Sequence, residues 1–198
     1  MPRPKQRTPE LREHVRSVAA EVLARDGVAG FTTRRIAAQA HTSTPAVYEL
    51  FGDKRGLVRE MFFDGFRLLH AQLDRAPLPA APHAALIALL ERYREFVREN
   101  PVLAEVMFSR PFTDFEPDES ELEAGASVRE LIVECVRRCI QAGVLDGDET
   151  DDAHVLTALV QGLAWAENAR RLGSSQTSVD RRWRLAVRAA LAGLAPRP

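Results

Sequence analysis

The chain has 198 residues, 45% hydrophobic and 28% charged, with a net charge of −1. That balance suits a soluble folded protein of one large or two small domains. No run of about 18 apolar residues is present to form a transmembrane helix, and the N-terminus lacks the apolar core of a signal peptide.

The near-zero net charge hides an asymmetry. Residues 1–60 hold eleven Lys/Arg against seven Asp/Glu, whereas the rest holds 16 against 21. A basic N-terminal module on an acidic body suits a chain that touches a polyanion with one part only. The two cysteines, Cys135 and Cys139, lie four apart in a helical pattern. They share a helix face but are poorly aimed for a disulfide, so a reduced, cytoplasmic protein is expected.

Residues 1–8 are basic, contain two prolines and have no apolar periodicity. They read as a mobile arm, with Arg3, Lys5 and Arg7 available to phosphates or a minor groove. Thr8 and Pro9 then open a helix to about Arg25, with Leu11, Val15, Val18, Ala19, Val22 and Leu23 on one face. Asp26-Gly27 stops it, and Phe31 is placed to plug a small core.

Residues 32–54 read as two short helices joined by a tight turn, followed by the cap of a third. Thr32 caps the first, whose apolar face is Ile36, Ala37 and Ala40. His41-Thr42-Ser43 is the break. Ser43 caps the second helix, and Pro45 sits in its first turn, where a missing N–H is harmless. Val47 and Phe51 point inward, leaving Thr44, Pro45, Ala46, Tyr48 and Glu49 outside. Gly52 ends it and Asp53 caps the next. A second helix presenting small and polar side chains is what a helix-turn-helix reader of the major groove needs.

A linking helix follows over 54–73, with Leu57, Val58, Met61, Phe62, Phe66, Leu69 and Leu73 apolar. Three prolines between Ala76 and Pro82 break the chain. Only helices are expected beyond: 83–100, a short one from Pro101, and 120–142, with an acidic, proline-interrupted loop over 111–119. Thr150 is expected to cap a helix over 151–172 that is apolar around its circumference. The last helix runs over 178–195 with Val179, Trp183, Val187 and Leu191 on one face. No segment alternates with period two, so no sheet is expected.

Residues 8–66 resemble the DNA-binding part of the tetracycline-repressor (TetR) family of bacterial transcription regulators. The resemblance rests on Gly27 to Ala37 (Gly-Val-Ala-Gly-Phe-Thr-Thr-Arg-Arg-Ile-Ala), then Ala40, Ser43, Val47, Tyr48, Phe51, Asp53, Lys54 and Leu57. The chain departs from the family pattern at His41, where Gly is usual, at Thr42, where an aliphatic residue is usual, and at Leu50, where an aromatic or His is usual. The resemblance implies an all-α fold of about nine helices. An N-terminal three-helix domain (9–55, behind the arm 1–8) would sit on a larger ligand-binding and dimerisation domain (56–198). It also implies a homodimer through the last two helices, 151–172 and 178–195. A helix apolar all round must bury both faces, which agrees. The function implied is a repressor released from a palindromic operator in double-stranded DNA by a small-molecule ligand.

For DNA, the expected contacts are Thr44, Pro45, Ala46 and Glu49 at base edges, Arg34 at guanine or phosphate, and Thr33, Ser43, Tyr48 and Lys54 at phosphates. For a ligand, the candidates are Phe62, Phe66, Tyr93, Phe96, Met107, Phe108, Phe112, Phe115 and Trp165, with plain core the favoured reading of each, and His70, Glu105 and Glu167 are polar additions. Cys135 and Cys139 could ligate a metal only beside His83 or His154, and no second ligand pair has metal-type spacing. No nucleophile elbow, phosphate loop or His-Glu-x-x-His is present, so neither an enzyme nor a cofactor is expected. The competing class is a helical enzyme or ligand-binding protein with an incidental basic N-terminus, which predicts no salt-sensitive affinity for any duplex.

Overall fold

A computed structural model describes residues 8–109, 112 and 118–196, without the side chains of 120–122. The arm expected over 1–8 lies, except for Thr8, outside the described residues, as do Phe115 and most of the acidic loop. All regular structure among the described residues is helical, in nine α-helices and one π-helical turn. The chain divides into two compact units, residues 1–66 with 102–122 and residues 67–101 with 123–198.

In unit 1, α1 (Pro9–Gly30) starts as its cap chemistry dictates, with the Thr8 side chain accepting from the Leu11 N–H. Gly27 breaks it at φ 63°, a left-handed conformation that glycine adopts without a Cβ penalty, so the helix proper ends where Asp26-Gly27 predicts. α2 (Thr33–Gln39) and α3 (Thr44–Phe51) are capped by Thr32 and Ser43, whose side chains accept from Arg35 N–H and Ala46 N–H. α4 (Lys54–Leu73) begins with the Gly56 N–H donating to Asp53 Oδ1 at 2.8 Å. Each cap satisfies a backbone donor that the helix itself leaves without a partner.

One core gathers these helices: Val15, Val18, Ala19, Val22 and Leu23 of α1, Ile36 and Ala37 of α2, Val47, Leu50 and Phe51 of α3, and Leu57, Val58, Met61 and Phe62 of α4. Phe31 is 1% exposed and fills its centre, 5.0 Å from the Phe112 ring. A second clamp is ionic. Arg12 pairs with Glu60, and Arg16 reaches Asp64 at 3.3 Å. Both partners are four residues apart on both helices, so a single face of α1 meets a single face of α4. The unit also takes in the π-helical turn Glu105–Ser109, whose Met107 lies against Gly65, where there is no side chain to displace it.

Unit 2 holds the end of α4, then α5 (Pro82–Glu99), most of α7 (Glu119–Gln141), α8 (Glu149–Asn168) and α9 (Gln176–Gly193); the four-residue α6 (Pro101–Ala104) lies at the boundary. The proline-rich break is held by a buried cation, with Arg92 Nη1 donating to Leu73 O at 2.6 Å. That bond satisfies a terminal carbonyl of α4. The last two helices differ most from the sequence reading. α8 spans Glu149–Asn168, not 151–172, because Asp148 and not Thr150 is the cap: its Oδ1 accepts from both Thr150 N–H and Asp151 N–H. It ends early because Arg170 takes φ 57°, with Arg171 N–H bonded back to Ala166 O. α9 spans Gln176–Gly193, not 178–195, because Ser175 and Ser178 form a reciprocal capping box.

Candidate nucleic-acid interface and ligand region

The turn between α2 and α3 sets the aim of α3. Thr42 N–H donates to Ala37 O and His41 N–H to Ala38 O, the paired bonds of a Schellman cap. That cap needs a left-handed residue, and His41 fills it at φ 50°. An L side chain there is strained by roughly 1–2 kcal/mol. Thr42, the other departure in the turn, is half-buried.

From this turn α3 emerges with Val47, Leu50 and Phe51 buried. Its other face carries Pro45, Tyr48 and Glu49 exposed and Thr44 and Ala46 half-buried. Tyr48, 48% exposed, is the only large apolar side chain of the three α-helices α1–α3 left in solvent to that degree among the described residues. Ser43 and Arg34 are also exposed, and Thr33 is half-buried at the start of α2. Lys54 opens α4, its Nζ 5.1 Å from the Phe112 ring centroid and 6.0 Å from that of Phe31. A cation over two aromatic faces is held in place without being neutralised. The expected DNA-contact residues thus lie on α2, α3 and the start of α4, all within unit 1.

Two features of this surface are absent from the sequence reading. Leu50 is buried, 8% exposed, and its carbonyl accepts from Arg12 Nη2. Arg12 in turn lies over the Phe51 ring at 5.1 Å. Arg12 therefore ties α1 to α3 as well as to α4. The matched spacing of Arg12/Arg16 and Glu60/Asp64 was the available signal.

The ligand candidates are distributed. Phe62, Phe66, Met107, Phe108 and Phe112 belong to unit 1, where Phe66 lies tilted against Phe62 at 4.9 Å and edge-on to Phe108 at 5.9 Å. Tyr93 and Phe96 are core residues of unit 2, and burial pushes the Tyr93 phenol up. Trp165 is 50% exposed on α8. Among the polar additions, His70 is half-buried and Glu105 exposed. Glu167 is committed elsewhere: Arg94 grips it with Nε at 2.7 Å and Nη2 at 3.1 Å, and also reaches Asp180 at 2.6 Å while lying 4.9 Å over Trp183. These carboxylates raise the guanidinium pKa against the opposing effect of burial. Cys135 and Cys139 are buried, free thiols whose pKa burial raises. Among the described residues no group of three or more His, Cys, Asp or Glu is placed to hold a metal, and no helix is long and apolar enough to cross a membrane.

The outer faces of α8 and α9 differ from the rest of unit 2. α8 buries Ala153, Leu156, Val160 and Ala164, yet its other side shows Val155, 53% exposed, with Ala158 and Gly162 also exposed. α9 buries Val179, Trp183, Val187 and Leu191 and shows Leu185, 58% exposed, with Ala189 and Ala192.

Residues 15–61 match the model of the bacterial regulatory proteins of the tetR family, and residues 86–190 match the tetracyclin repressor-like C-terminal domain. The chain belongs to the TetR family and is a DNA-binding transcriptional regulator. No curated protein matches it. Among solved structures it is similar to a Rhodococcus sp. RHA1 protein of unknown function, at 27% identity over 98% of this chain and 100% of that one, with a TM-score of 0.80. A regulatory protein of the tetR family from Rhodococcus RHA1 follows at 22% identity, covering 96% and 100%, TM-score 0.77. The TetR family transcriptional regulator PfmR from Thermus thermophilus shares 20% identity over 92% and 99%, TM-score 0.72. The last two likenesses are of fold alone.

Proposed function

We propose that the chain is a homodimeric repressor that binds a palindromic operator and is released from it by a small-molecule ligand. The observation that carries the DNA-reading part is the face of α3, small and polar with Tyr48 exposed, on a helix whose other face is fixed in a core. In the proposed contact, Thr44 and Ala46 pack on thymine methyls, Pro45 lies beside them, and Glu49 accepts from cytosine N4. Arg34 reaches guanine or phosphate. Thr33, Ser43, Tyr48 and Lys54 hold phosphates and fix the register.

The dimer is proposed through α8 and α9. Apart from Tyr48, the exposed large apolar side chains among the described residues are Val155, Trp165 and Leu185, all on these two helices. Small residues between them would let partner helices approach closely. A two-fold dimer supplies two identical α3 helices for half-sites ~34–36 Å apart. Ligand in the larger domain, which we place at residues 56–198 behind the DNA-binding helices of 9–55, would favour a dimer in which that spacing is wrong. α4 is the proposed link, since Lys54 starts it among the DNA contacts and its last turn belongs to unit 2.

A gel shift against duplexes from upstream of the chain's own coding sequence, at two salt concentrations, tests this reading. Specific retardation that weakens steeply with salt is expected, since each neutralised phosphate releases counterions. No salt-sensitive affinity for any duplex would overturn it. With the bound fragment ahead of a reporter, expression should fall when the protein is present; a rise would replace repression by activation.

A further inference from the structure

Unit 2 carries a groove of about 340 Å³ between α5 and α9, lined by His83, Ile87 and Glu91 from one helix and Trp183, Arg184, Val187, Arg188 and Leu191 from the other. Its two kinds of lining are segregated. Ile87, Val187, Leu191 and the buried ring of Trp183 form an apolar floor. Arg184 and Arg188 stand on the rim, both exposed and four residues apart, so their side chains rise from adjacent turns of α9.

The charges of the rim do not cancel. Neither arginine is in an ion pair with a described residue, although Arg184 is near enough to Asp180 to help hold its carboxyl low. The one acid of the lining, Glu91, already faces Arg94 at 3.5 Å. Arg94 also holds Glu167 and Asp180 through its other nitrogens. The groove therefore offers two guanidinium groups with open donors above a floor that water solvates poorly. Guanidinium donors in adjacent turns suit a carboxylate, which accepts in a fork geometry. The groove's size lies at the low end for a small-molecule site. Leu185 and Ala189, on the face proposed for dimerisation, point about a quarter turn away from Arg184 and Arg188 around the helix.

We propose that this groove binds a small amphipathic carboxylate, its apolar body on Ile87, Trp183, Val187 and Leu191 and its carboxylate on Arg184 and Arg188. The proposal rests on the ligand-responsive reading for its consequence but not for the binding itself. Affinity falls with salt, because the rim is exposed.

The test uses the full chain and three probes of one shape: octanoate, octanol and octylamine. Binding is followed by titration calorimetry and by fluorescence of Trp183 in a Trp165→Phe protein, which leaves one tryptophan. Octanoate should bind at least about tenfold more tightly than octanol, and octylamine more weakly still, as a charge-assisted pair implies. Arg184→Gln with Arg188→Gln should abolish that preference and leave octanol unaffected. Arg170→Gln with Arg171→Gln, exposed cations elsewhere on unit 2, should change nothing. Ile87→Trp, which fills the groove, should weaken octanoate and octanol alike. Unchanged melting temperatures across the arginine variants keep the comparison one of binding. No octanoate binding, equal affinity for octanol, or octanoate affinity unmoved by the double arginine change would each overturn the site. A parallel arm asks whether octanoate weakens binding to the retarded duplex. Binding without that effect leaves the groove site standing and counts against its use in release.

Discussion

Tyr48 and Arg94 mark the contrast between the two units. Tyr48 stands half out of unit 1 on a short helix whose own contacts are finished. Arg94 is 5% exposed in unit 2 and joins α5 to α8 and α9 through Glu167 and Asp180. Unit 1 keeps its interior almost entirely apolar and sets its polar groups outside, where a nucleic acid can reach them. Unit 2 places charge inside, apolar surface outside on α8 and α9, and an arginine rim over a groove. A module that reads a fixed partner needs a rigid scaffold. The dimerisation and ligand binding proposed for unit 2 would need surfaces that are unfinished in one chain alone.

Breaking the unfinished surface should have the largest effect. Val155→Glu with Leu185→Glu places charges on the outward faces of α8 and α9. Sedimentation should show a monomer, and operator affinity should fall by on the order of 10²–10⁴ as two-site engagement is lost. A dimer of unchanged affinity would show that these faces do not associate. Next comes the buried cation. Arg94→Ala leaves Glu167 with the half-exposed Arg98, at 3.3 Å, and a long bond from Gln176, at 3.5 Å, and should cost about 3–5 kcal/mol in denaturant unfolding. Adding Glu167→Ala should recover part of that loss; no recovery would mean the pair is not what holds these helices.

In unit 1 the expected change has the opposite sign. His41→Gly relieves the left-handed residue at φ 50° and should raise stability by about 1 kcal/mol. Loss of stability would show that the His41 side chain makes a contribution exceeding its strain. The smallest effect concerns Asp152, a buried carboxylate at the start of α8 with Oδ2 unbonded. Desolvation, then the charges of Asp148, Asp151 and Asp146, hold its carboxyl above the usual range. Protonation is thus easier in the native state than in the unfolded chain. Its contribution to stability is full in acid, below the unfolded pKa, and is lost as pH rises through the raised native value. Asp152→Asn should therefore raise the melting temperature slightly at neutral pH and lose that advantage as pH falls; a pH-independent difference would contradict the assignment.

The DNA-facing side was readable because local rules decide it. Thr8, Thr32, Ser43 and Asp53 cap the helices expected of them, and the period of α3 sends Val47 inward and Tyr48 outward. Where several cap residues compete, the rule loses resolution. Asp148, Thr150 and Asp151 are all acceptable, and Asp148 wins because one oxygen takes two N–H groups. Leu50 reads in sequence only as a departure from the family's usual aromatic or His; that it lies in the core, with Arg12 on its carbonyl, needed the fold. The ligand candidates were not readable for a different reason: an aromatic residue that fills a core and one that lines a cavity have the same periodicity. Only the fold separates Phe96, 1% exposed, from Trp165, 50% exposed. The groove under Arg184 and Arg188 was hidden likewise, because it joins helices about a hundred residues apart.

The outward face of α3 is the centre of the account, and selection from a random duplex library tests it most directly. The wild-type chain should enrich a two-fold symmetric sequence with half-sites one helical turn, or a small multiple of it, apart. Thr44→Ala with Tyr48→Ala should remain a dimer but enrich no sequence, keeping only weak, salt-sensitive binding to any duplex. Recovery of the same sequence at the same affinity by the double mutant would contradict the assignment of that face.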